Sequence, residues 1–174
     1  MKNHVRILML ALVGTLALSA CGPSEEDKQK AAEAAAAAEA AKPVPAPAAT
    51  ADKVAWQKYL GKTVTQNMQG VKSNHPFMYF IPNGDGQDAQ DARKNQLDNV
   101  TTTVERGVLP GNMMAFGGPD SKLTADLAIE SFKSAGDGTF KGVVVLFIGA
   151  PADQDRVKEA LAKSGAEFRF VEMK

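Results

Sequence analysis

Val143-Val144-Val145-Leu146-Phe147-Ile148 is an unbroken run of six apolar residues, three of them valine. A run of this kind fits a strand covered on both faces, and such strands lie in the middle of parallel sheets. The residues after it support that reading. Gly149-Ala150-Pro151 turns the chain, with proline suited to a first helical turn. Asp153 and Asp155 then lie near the positive end of a helix. Val157, Ala160 and Leu161 are expected to face inward, and Gly165 ends the helix. Phe168, Phe170 and Glu172 alternate with Arg169, Val171 and Met173, which predicts a last strand at or near an edge, with Arg169 on its more exposed face.

Upstream the same alternation repeats. Ala125, Ala128, Ile129, Phe132 and Ala135 share one helical face, flanked by Leu123 and Leu127; Lys122, Asp126, Glu130 and Lys133 share the other. Gly117-Gly118-Pro119-Asp120-Ser121 leads into this helix from a short strand, Met113 to Phe116. Before it, Asp88 is positioned to cap a helix carrying Ala89, Ala92, Leu97, Val100 and Val104, with Arg106-Gly107 as its stop. Phe77-Met78-Tyr79-Phe80-Ile81 reads as a buried strand that leaves through Pro82-Asn83-Gly84-Asp85-Gly86. The first element is a helix with Trp56, Leu60, Val64, Met68 and Val71 on one stripe, capped by Asp52 or Thr50. Pro76 ends it, since a residue before proline avoids helical backbone.

The order α-βαβαβαβ predicts an α/β domain over residues 53–174. It has three layers, a four-stranded, mainly parallel sheet with right-handed crossovers, and an N-terminal helix in front. A ferredoxin-like α+β fold is the alternative, and it needs a hairpin that the sequence does not offer.

In such a sheet, ligands sit beyond the carboxyl ends of the strands. Loops 82–87, 117–121 and 149–152 should gather there. The candidate ligand loop residues are Gly117, Gly118, Asp120 and Ser121, with Asn83, Gly84 and Gly149. Two glycines allow close approach of backbone, and Ser121 opens a helix. The stretch matches neither a phosphate-binding nor a dinucleotide-binding fingerprint, and Asp120 repels anions. A tight turn with Asp120 or Ser121 as cap is the competing reading. Asn83 to Asp88 has the wrong register for a calcium loop. His75 is alone beyond the first twenty residues and lies before a strand, so neither a multi-histidine metal site nor a Ser-His-Asp triad is expected. Met78, Met113 and Met114 read as core filler. No metal site and no catalytic set is expected.

The start of the chain has a different logic. Lys2 and Arg6 precede an uncharged stretch from Ile7 to Leu18, and small residues Ser19 and Ala20 precede Cys21, the outline of a cleavable signal peptide over residues 1–20. The apolar stretch spans only ~18 Å as a helix, too short for a ~30 Å hydrocarbon core. Leu18-Ser19-Ala20-Cys21 resembles the lipobox of bacterial lipoproteins. The resemblance covers residues 1–21. It implies that Cys21 carries diacylglycerol on sulfur, becomes the new N-terminus and is acylated on its amine. Two or more acyl chains anchor stably. Gly22 in place of Asp implies, by the same resemblance, the periplasmic face of the outer membrane; the inner membrane is the alternative. Residues 21–52 then form the anchor and a tether: alanine-rich from Ala31 to Ala41, proline-rich from Pro43 to Pro47, and able to reach roughly 60 Å.

Cys21 is the only cysteine, so no disulfide forms within the chain. Residues 22–174 hold 18 basic and 20 acidic side chains, which leaves no basic footprint for nucleic acid. No cofactor is expected beyond the covalent lipid on Cys21. The expected partners are the membrane, through that lipid, and an envelope protein. The leading expectation is a non-catalytic, membrane-anchored binding or assembly module, such as an inhibitor, an immunity factor or an accessory protein. A receptor for a small sugar or anion is second. An envelope hydrolase is third, and would need Asp85, Asp120 and Asp153 in one cleft.

Overall fold

All four apolar runs become strands in the computed structural model, which describes residues 44–174. Residues 1–43, including the signal peptide, Cys21 and the alanine tract, lie outside the described residues. The elements in chain order are α1 (Lys53–Gln66), β1 (Phe77–Phe80), α2 (Gln87–Arg106), β2 (Met113–Gly117), α3 (Ser121–Ser131) with a 3-10 turn over Phe132–Ser134, β3 (Val144–Gly149), α4 (Pro151–Ala162) and β4 (Glu167–Glu172). The sheet has four strands in the order β1-β2-β3-β4, and every neighbouring pair is parallel. This is the α/β architecture expected. The ferredoxin-like alternative is excluded, because it requires antiparallel partners.

A progressive strand order has a consequence for the layers. Each right-handed crossover returns to the next strand on the same side, so three of them cover one face only. Accordingly α2, α3 and α4 share a core with Tyr79, Met114, Phe116, Val145 and Phe147. The opposite face presents Met113, Ala115, Val144, Leu146 and Ile148, and α1 covers it with Trp56, Tyr59, Leu60 and Val64. Burial width follows position. The middle helix α3 buries Thr124, Ala125, Leu127, Ala128 and Ser131, whereas α2 buries only Val100 and Val104, and α4 only Val157 and Leu161. Ala92 and Ala160, expected inside, are therefore exposed: the outer helices have one packed neighbour and need only a narrow stripe.

An aromatic chain runs through the three-helix face. Tyr79 stacks on Phe116 at 5.2 Å, Phe116 meets Phe132 at 6.3 Å, and Phe132 meets Phe140 at 5.0 Å. Such pairs add to the burial of their area. Burial lifts the Tyr79 phenol above its ordinary pKa, against a hydrogen bond with Thr103 that lowers it. On the other face Trp56 and Tyr59 meet edge to face at 5.6 Å.

Several boundaries differ from the sequence expectation. Asp52, not Thr50, caps α1, accepting the Ala55 amide at 2.7 Å, and the helix stops at Gln66, so Met68 and Val71 pack from the following turn. The cap of α2 is Gly86. Asp88 lies inside the first turn, where its charge faces the positive end of the helix. The run Phe77–Ile81 is not a buried strand throughout: β1 is an edge, and Phe77 and Met78 remain 41% and 40% exposed. Strand β4 is the other edge, as expected. Arg169 is not on an open face; its guanidinium donates to the carbonyls of Asn67 (2.6 Å) and Gln69 (2.7 Å), tying β4 to the end of α1.

The last part of the expected tether also packs. Val44, Ala46 and Ala51 lie against the α1 core, and the Ala46 amide donates to the Lys174 carbonyl. The Trp56 indole donates to Ala48 O at 3.2 Å, and the Asn83 side chain donates to Ala49 O at 3.1 Å. Prolines 45 and 47 keep this stretch out of a helix without preventing it from docking.

Candidate functional site

Because the strands are parallel and in register, the loops after β1, β2 and β3 share one rim, as the sequence predicted. Phe80 pairs with Gly117, and Phe116 with Phe147. What approaches the glycines there is the protein itself. A β-carbon on Gly117 would meet Leu60 Cδ2 of α1 at 2.4 Å. On Gly118 it would meet the Ile81 carbonyl oxygen at 2.0 Å. On Gly149 it would meet Phe147 Cζ at 2.5 Å and Ser121 Oγ at 2.6 Å. All three contacts are shorter than real β-carbons adopt: at Gly118 the obstacle is backbone, whereas at Gly117 and Gly149 the ends of the Leu60, Phe147 and Ser121 side chains would have to move. A Brändén-type crevice also needs a reversal in strand order, where crossovers diverge to opposite faces. The order β1-β2-β3-β4 has no reversal.

The polar groups of the rim have partners of their own. Asp120 caps α3, accepting the Leu123 amide at 2.9 Å. Ser121 accepts the Ala150 amide at 2.7 Å and donates to Asp153 Oδ2 at 2.5 Å. The other Asp153 oxygen accepts from Arg156 Nε at 2.8 Å, and Arg156 reaches across to Asp126 Oδ1 at 2.6 Å. Lys122 closes the chain on Asp126 Oδ2 at 2.7 Å. The result is a polar clasp from α3 to α4. Burial works to raise the Asp126 carboxyl, but the hydrogen bonds and charges of Lys122 and Arg156 outweigh it and hold the pKa below the ordinary value. Arg156 is pushed up by the same partners, Asp126 and Asp153, against burial that would lower it.

Asn83 and Gly84 lie in the loop after β1. The Asn83 amide is spent on Ala49, and Arg93 donates to Pro82 O and Gly84 O at 3.0 and 2.9 Å. Asp85 is exposed, and its carbonyl accepts from Gln90 at 2.7 Å. The three acids nominated for hydrolysis have different partners: Asp85 lies in an open loop, Asp120 caps α3, and Asp153 joins the clasp through Ser121, the residue next to Asp120. His75 precedes β1, at the opposite end of the sheet from the rim. Among the described residues, no three His, Cys, Asp or Glu side chains are grouped to hold a metal.

Two surface recesses lie elsewhere. One, of about 330 Å³, runs between α2 and α3 over Leu97, Leu123 and Leu127, with Lys94 and Glu130 on its rim. The other, of about 280 Å³, lies where the chain enters the domain: Val44, Pro45, Pro47, Ala55 and Tyr59 form it, and Lys58 and Lys62 border it. Sequence reading missed both. The second includes prolines that composition assigns to a spacer, and only their contact with α1 shows them as a wall. No helix among the described residues is long and apolar enough to cross a membrane. Comparison with known proteins gives no matching family, no matching curated protein and no matching solved structure.

Proposed function

We propose that the chain is a bacterial lipoprotein, held by acyl chains on Cys21 at the periplasmic face of the outer membrane, whose α/β domain is a non-catalytic binding or assembly module of the envelope. The observation that carries this reading is Leu18-Ser19-Ala20-Cys21, which follows a signal-like apolar stretch and ends on the only cysteine of the chain. Gly22 supports the outer membrane. The rim supports a scaffold over a receptor or a hydrolase, because its glycines are approached by Leu60, the Ile81 carbonyl and Ser121, and two of its acids, Asp120 and Asp153, are engaged in helix-cap and clasp contacts. A domain built in this way offers outer surfaces to partners, not a chemical cleft.

The anchor is tested by the intact mass of the full-length protein extracted from membranes. A mass above the bare 21–174 polypeptide is expected; the bare mass refutes the anchor. Cys21→Ala is expected to leave an unprocessed precursor without stable outer-membrane attachment. The module is tested by cross-linking in intact cells that carry the lipidated protein. Recovery of one envelope protein with the wild type is expected, and hydrolysis of envelope polymer by the purified protein would overturn a non-catalytic role.

A further inference from the structure

Helix α1 differs in charge from the helices on the other face. It carries Lys53, Lys58 and Lys62 and no acidic residue. All three lysines are exposed, and none has an ion-pair partner among the described residues. By contrast, Lys122 of α3, Lys133 of the 3-10 turn after it and Arg156 of α4 have carboxylate partners within a turn or across the helix pair, although Lys158 of α4 has none among the described residues. Lys58 and Lys62 are four residues apart, a like-charge spacing that weakens a helix. Exposed Val54 lies on the same outer side. The inner side of α1 is committed to the sheet through Trp56, Leu60 and Val64, so the outer side is fixed in orientation.

The chain reaches the domain at this same place. Val44 and Pro45 lie against Tyr59, with Lys58 and Lys62 at the edge of the recess they form. From Val44, 22 residues lead back to Cys21. An anchored chain therefore leaves the bilayer and meets the domain on its lysine side.

We propose that the outer face of α1, with Lys58 and Lys62, docks on the anionic headgroups of the bilayer that holds the anchor, so that the three-helix face is turned to the periplasm. This rests on the lipid-anchor reading. A lysine near an anionic bilayer surface gains about fivefold in binding, so Lys58 and Lys62 together shift the docked population by about 25-fold. The attraction decays within a Debye length and is lost in salt.

The test uses the mature full-length protein in vesicles of phosphatidylethanolamine with or without phosphatidylglycerol. Lysines are acetylated briefly and read by mass spectrometry. Lys94 and Lys158, exposed on the other face and without ion pairs among the described residues, serve as internal references. With phosphatidylglycerol at low salt, acetylation of Lys58 and Lys62 should slow at least about tenfold against the references. The protection should vanish without phosphatidylglycerol, or at about 0.5 M NaCl. Equal rates on anionic vesicles overturn the proposal. So does protection that ignores lipid charge and appears only when envelope proteins are added, since that assigns the face to an acidic protein. Flotation with the vesicles at high salt reads the acyl anchor separately. A protein that floats but shows no protection keeps its anchor and loses this docking face; one that does not float loses the anchor reading itself.

Discussion

The two faces of the sheet are covered by different means. One is roofed by α2, α3 and α4, each tied into the sheet at both ends by the strands it connects. The other is closed by α1, which is joined to the sheet only at its C-terminal end and is held by Trp56, Tyr59, Leu60 and Val64 together with the strap 44–52. The first roof follows from the crossovers. The second is an addition that the strand order made necessary, because a progressive parallel sheet leaves one apolar face bare. The three-helix face should therefore be coupled to global stability, and the α1 face should open on its own.

The largest effect tests the shared centre. Val145 is fully buried between Met114 and Phe168 of the neighbouring strands. Val145→Asp places a carboxyl there that must lose its hydration or take up a proton, at a cost of several kcal/mol. Domains hold about 5–15 kcal/mol in reserve. The variant is expected to be unfolded by circular dichroism, and a cooperative thermal transition near that of the wild type would contradict the burial of β3.

Next is Trp56→Ala, which removes the largest side chain of the α1 face. The expected loss is about 3–5 kcal/mol. The distinguishing measurement is hydrogen exchange. Amides of α1 and residues 44–52 should lose protection first, while α3 keeps most of its own. Uniform loss over all helices would mean that the two faces form one cooperative unit.

A smaller effect is expected at the rim. Ser121→Ala leaves the Ala150 amide and Asp153 Oδ2 without their hydroxyl, at about 1–3 kcal/mol. The cost should appear as a lower denaturation midpoint, with faster exchange confined to the starts of α3 and α4. Unchanged stability would show that the hydroxyl is free for another role.

The difference between the faces was only partly legible in the sequence. Val143 to Ile148 announced a central strand because both its faces need apolar side chains, while Met113 to Phe116 announced a short strand without its place in the sheet. The same logic misread Phe77 and Met78, since an apolar run reports composition and not position in the sheet. Strand order leaves no mark in the periodicity, so the absent crevice could not be foreseen. Gly117 and Gly118 read in the sequence as places where backbone could approach a ligand, and Gly149 as part of the same candidate loop set. The sequence does not say what approaches, and here it is Leu60, a carbonyl and a serine. Arg169 binds Asn67 and Gln69 across about a hundred residues of chain, and nothing local marks that. Phe140 is surrounded by turn-forming residues, so no periodicity marks it as core, yet it is fully buried.

The smallest effect concerns charge. On the three-helix face Asp126 accepts from Lys122 and Arg156, and those partners hold its pKa below the unfolded value against burial. A lowered folded pKa means that the unfolded state binds its proton first as pH falls. The stabilisation is then fully present above the unfolded pKa, near 4 for an aspartate, and is lost as pH drops through the lower folded value. The Asp126 side chain is 44% exposed, so solvent screens the pair and its worth is under about 1 kcal/mol. Asp126→Asn should therefore lower the denaturation midpoint slightly at pH 7 and leave it equal to the wild type near pH 2. High salt should shrink the difference at pH 7 as well. The α1 lysines have no carboxylate partner among the described residues, so reversing them should give no comparable acid-dependent loss. A pH-independent deficit in Asp126→Asn would show that the clasp acts through shape and neutral hydrogen bonds, and that charge does not distinguish the two faces in the way their ion pairs imply.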